Sequence, residues 1–141
     1  MSEPDPAALG DPDLALAGLS LWVHRLDRAE DWIDATLLCV GPGALVWTTG
    51  SFLRLDDLRR WRRTLIELWH GAVQEAVLDT PEGVLRVELR ATDALGHLRM
   101  RVELRTDPDA HHVLASGIDQ SYLPELVAGL EALEARLGAL D

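Results

Sequence analysis

Three residues in the last third of the chain carry groups that could do hydrolytic chemistry: His97, Asp119 and Ser121. In a triad the imidazole would take the hydroxyl proton, and the carboxylate would hold the imidazole in the right tautomer. Their surroundings point to another use. The sequence has no Gly-x-Ser-x-Gly elbow, and Ser116-Gly117 and Gly50-Ser51 stand alone. Asp119 and Ser121 stand where a helix should be capped, and His97 sits at a hairpin end, so capping is the expected role. His111-His112 offers two imidazoles to a metal, but adjacent strand residues point to opposite faces. No Cys pair, His-x-x-x-His or calcium-type acidic loop supports it. Cys39 lies in an apolar strand with no base beside it and reads as core filler.

One basic cluster remains: Arg59, Arg60, Arg62 and Arg63. It offers a phosphate or nucleotide site, and with it an alternative function, a small-molecule-binding or enzymatic domain with a pocket near the Arg-rich first helix. The expected state is plainer, a solvated helix face partly paired with acids elsewhere. Gly41-Pro42-Gly43 joins two strands and opens no helix, so it is not a phosphate loop. No catalytic residue, cofactor or metal ligand is assigned.

The elements that must position these residues form one domain of 141 residues. Residues 1–13 are expected as a flexible acidic tail and 14–141 as a single α+β domain. The start lacks the basic and apolar segments of a secretion signal. No apolar run approaches the roughly 20 residues that span a bilayer. A cytoplasmic location is expected, and one cysteine, which cannot form an internal disulfide, agrees with it. All 13 basic residues are arginine, the pattern of a GC-rich bacterial coding sequence. The net charge of −11 repels nucleic acid and membrane surfaces and attracts basic partners.

Strands are expected over Leu14–Arg25, Trp32–Val40 and Ala44–Phe52, from their alternation and turn signals. Leu55–Gly71 changes period. Leu58, Trp61, Leu65, Leu68 and Trp69 make one helical stripe, with Asp56 as the N-cap and Gly71 as the stop. Val73–Leu78 is a short strand. A hairpin follows, with Leu85, Val87 and Leu89 alternating against charges on one arm, and Leu98, Met100, Val102 and Leu104 on the other. A loop at 93–96, with Gly96 at positive φ, sets Glu88 opposite Arg101 and Arg86 opposite Glu103, and leaves only Arg90 against Arg99. His111–Ile118 is the last strand, and a Leu-striped helix runs from Ser121 to Leu140. Trp22 falls on the polar side of its strand, so it is expected to be exposed and to mark an interaction surface or a homodimer face.

The expected fold is α+β: a mostly antiparallel sheet of six to seven strands, order β-β-β-α-β-β-β-β-α, with two amphipathic helices packed on it. A closed barrel with helices at its ends is the alternative.

Gly96-His97, the strand after it, and Asp119-Gln120-Ser121-Tyr122-Leu123 resemble a family of small bacterial proteins. That family shows a Gly-His hairpin, an Asp-Gln-Thr/Ser-Tyr-Leu signature and a closing Leu-rich helix. The upstream Asp57-Leu58 helix ending at Gly71 fits the same pattern. Some members are similar to WapI-like immunity proteins, which neutralise a toxin delivered by neighbouring bacteria. The resemblance covers roughly Trp32 to Leu137. It implies a non-enzymatic antitoxin that binds a protein partner, and the acidic charge makes a basic toxin domain the expected one.

Overall fold

The leucine-rich stretch at the start of the chain does not make one long strand. It folds back at Ala17-Gly18, where Ala17 takes φ 51° and a Cβ on Gly18 would run into the carbonyl of Val40. The computed structural model describes residues 8–138. In it the chain runs β1 (Leu14–Leu16), β2 (Leu19–Asp27), β3 (Trp32–Gly41), β4 (Ala44–Arg54), α1 (Leu55–Trp69), β5 (Glu75–Asp79), β6 (Leu85–Ala91), β7 (His97–Asp107), β8 (Ala110–Asp119) and α2 (Leu123–Gly138). Residues 1–7 of the expected tail and 139–141 at the end of the expected last helix lie outside the described residues. Asp13 is held from three sides. Its N–H donates to Leu21 O at 2.8 Å, its Oδ2 accepts from Val23 N at 2.6 Å, and its Oδ1 meets Arg136 Nη1 at 2.8 Å.

The α+β class is as expected, but the single sheet of six to seven strands is not. There are two four-stranded sheets, β1-β2-β3-β4 and β5-β6-β7-β8, and every pairing is antiparallel. Alternation tells which face of a strand is apolar, and it says nothing about which distant strand lies beside it. Here α1 stands between β4 and β5, and each half of the chain pairs only with its sequence neighbours.

The apolar faces of both sheets and the stripes of both helices meet in one core. It includes Ile33, Leu37, Leu53, Leu58, Leu65, Leu89, Leu104 and Leu130. On α1 the buried stripe is Leu55, Leu58, Trp61, Leu65 and Leu68. Trp69, expected within it, is exposed and its ring stacks on His70. The helix starts two residues earlier than expected. Arg54, not Asp56, is the N-cap residue; its N–H donates to Asp57 Oδ2 at 2.8 Å, and Asp56 N donates to Asp31 Oδ2 at 3.2 Å. On α2 the whole expected stripe is buried: Leu123, Leu126, Val127, Leu130, Leu133 and Leu137.

The central hairpin has the register its charges suggest. Leu85 pairs with Leu104, Glu88 with Arg101, Arg86 with Glu103, and Arg90 with Arg99. Gly96 takes φ 93°. Between the two arms the ion pairs run along each strand instead of across, Arg86 to Glu88 at 3.4 Å and Arg101 to Glu103 at 2.7 Å, while Arg86 also reaches across to Asp79 of β5 at 3.9 Å.

Candidate interaction surface

Gly96-His97 and the Asp119–Leu123 motif come together, and their groups are used on one another or on their neighbours. The side chain of Gln120 lies across Gly96, where a Cβ would come within 3.2 Å of it. Gln120 N donates to Gly96 O at 2.8 Å. His97 Nδ1 sits 2.6 Å from Asp93 Oδ2, and Asp119 Oδ1 accepts from Ser121 N at 2.9 Å. Leu123 is buried below them. The signature therefore locks the β6–β7 loop to the turn that starts α2. Its electrostatics follow from these bonds. The hydrogen bond from His97 holds the Asp93 carboxyl below the usual range, the same bond to Asp93 raises the His97 imidazole, and the Ser121 bonds lower Asp119. Asp119 thus caps as expected, and His97 is turned to Asp93 and not to Ser121. Tyr122 is its exposed large side chain.

The arginines of α1 are mostly engaged within the chain. Arg62 and Arg59 both reach Glu134 of α2, Arg62 in a short contact and Arg59 at 3.7 Å. Arg60 meets Asp57 at 2.8 Å and Asp56 at 3.2 Å. Only Arg63 of the four has no ion pair among the described residues. The cluster clamps the two helices together and leaves little cationic capacity for a phosphate.

Trp22 is buried, which corrects the expectation of an exposed marker. Its indole N–H donates to Gly10 O at 3.1 Å, so the chain before β1 covers it. Thr36, on the same side of the sheet, is fully buried between His24 Nε2 and Thr49 Oγ1, each at 2.8 Å. His111 and His112 diverge: His111 faces Glu103 at 3.8 Å and His112 faces Thr106 at 3.5 Å. Burial pushes the Cys39 thiol up to about 11, as suits a core residue.

A surface that the sequence does not mark lies along β8. This strand ends the order of its sheet, so among the described residues no strand is hydrogen-bonded to one side of its backbone, although the end of β3 comes close, with Leu114 packed against Gly41. Beside it opens a cleft of about 390 Å³ lined by Val40, Pro42, Met100, Val102 and Leu114, among others. Val40 and Val113 at its rim, and Leu45 paired to Val40 on β4, are all about half exposed or more. Their exposure was not legible because apolar residues in alternating strands look alike whether the strand is central or at an edge. On the outer face β8 sets three small or uncharged residues, Val113, Ala115 and Gly117, between His111 at one end and Asp119 at the other. They leave the β7 arginines open on that side. The side chains of Arg90, on β6, and of Arg99 and Arg105 carry no ion pair or hydrogen bond among the described residues.

Among the described residues no three His, Cys, Asp or Glu side chains gather around one point that could hold a metal ion. Among the described residues no helix is long and apolar enough to cross a membrane. A family model described as the immunity protein WapI-like family matches residues 14–138. No curated protein matches the chain.

Proposed function

The chain belongs to the WapI-like immunity protein family, and from that premise we propose that it is a non-enzymatic binding protein that neutralises a bacterial toxin domain by direct contact. What carries this beyond the family is the surface at β8. Exposed aliphatic side chains rim an apolar cleft beside an open strand edge, and patches of this kind mark protein–protein contact sites. The polar residues that first suggest chemistry are bound to one another: Asp119 to Ser121, His97 to Asp93, and Arg62 to Glu134. The net charge of −11 favours a basic partner and speeds its approach.

Co-expression with toxin domains encoded beside its gene tests the reading. Rescue of growth with a co-purifying complex is the expected result. The absence of both rescue and complex would overturn it.

A further inference from the structure

We propose that β8 receives an extended segment of the partner as an added strand, and that this segment alternates apolar with acidic residues. The identity of the partner as a protein rests on the immunity reading; the chemistry of the segment rests on the geometry of the edge.

A strand at the end of a sheet presents alternate N–H and C=O groups that a second chain can pair with. β8 runs for ten residues with its outer side unpaired among the described residues, and Val113, Ala115, Ser116 and Gly117 are exposed along it. Side chains of an added strand point alternately to the two faces of the sheet. On the inner face they enter the cleft, whose walls at Val40, Met100, Val102 and Leu114 are apolar. On the outer face they lie beside Val113, Ala115 and Gly117. These side chains are small, and the next strand beyond them carries Arg99, Arg101 and Arg105, with Glu103 between the last two and paired to Arg101.

The charge on that outer face is specific. Arg99 stands opposite Gly117 on β8 and opposite Arg90 on β6, so it has a like charge on one side and no side chain on the other. Arg105 stands opposite His111. An added strand would lie two strand spacings from β7, about 10 Å, a distance an arginine and a glutamate can span together. The two arginines are six positions apart on β7, an even number, so they share a face and are separated by about 20 Å. A segment with acids six positions apart, on the side away from its apolar residues, matches both. Nucleic acid is a poor fit, since the net charge of −11 repels a polyphosphate chain.

A capped octapeptide that alternates valine with glutamate places its first and last acids at this spacing. Titrated into the full chain, it is expected to shift the backbone amides of β8 and the side chains of Arg99 and Arg105 in a saturable way. The matching valine–lysine octapeptide should bind about tenfold more weakly. The double variant Arg99→Ser/Arg105→Ser, checked for an unchanged circular dichroism spectrum, should lose about fivefold in affinity for the acidic peptide. Shifts confined to other elements, equal binding of the lysine peptide, or an unchanged affinity in the double variant would each overturn the proposal. The immunity reading is separable by amide exchange in the toxin complex. Rescue without new protection along β8 removes the strand-addition proposal alone. Peptide binding without rescue upholds the edge and removes the immunity reading.

Discussion

Asp93 and His97 hold each other at 2.6 Å across four residues of the hairpin loop, and each shifts the other's titration. The imidazole is raised, so its contribution to holding the loop is complete below the ordinary histidine value and is lost as pH rises through the raised one. The carboxyl is lowered, so its contribution is present above the ordinary carboxylate value and is lost as pH falls through the lowered one. The loop is therefore held most firmly between the two. Proton NMR titration should place the His97 midpoint above the usual histidine value, and Asp93→Asn should bring it down. An unmoved midpoint in the variant would refute the pairing. At the next position down, Gly96 combines a φ of 93° with the Gln120 side chain packed over it. Gly96→Ala should cost about 1–2 kcal/mol in urea unfolding, because a side chain there is strained in the backbone and crowded by Gln120.

At the scale of elements, the clamp between α1 and α2 depends on Glu134, whose side chain is 12% exposed and takes up both Arg59 and Arg62. Glu134→Gln should lower stability by about 1 kcal/mol, and a double-mutant cycle with Arg62→Met should show that most of this loss is shared between the two positions. The helices and the hairpin were legible from the sequence because their signals are local. A 3.6-residue stripe fixes which face of α2 is buried, and the charges on β6 and β7 admit one good register. The Asp119 cap was legible for the same reason. Whether the strands make one sheet or two was not, since that depends on contacts between segments far apart in the chain. Trp22 was misread for a related reason. Its alternation is that of an outward residue, and only the chain around Gly10, folded over it, makes that side an interior. The β8 surface was hidden because an edge is a property of the sheet, and no single strand reveals it.

At the scale of the whole molecule, two ranges of electrostatics are at work. The net charge of −11 acts at a distance and draws a basic body in. The open arginines on β7 act within a few ångströms and choose what docks. A partner domain that is basic overall, with an acidic strand at its contact face, would satisfy both. The unpaired edge of β8 has a further consequence, which concerns copies of this chain. An edge that accepts a foreign strand is also open to the same edge on another molecule, the usual route to unwanted self-association. Two copies meeting there would bring the like-charged Arg99 and Arg105 columns of each toward the other. Light scattering over a range of concentrations should accordingly find more dimer in Arg99→Ser/Arg105→Ser than in the unaltered protein. The arginines that recognise the right strand thereby keep the protein from recognising itself.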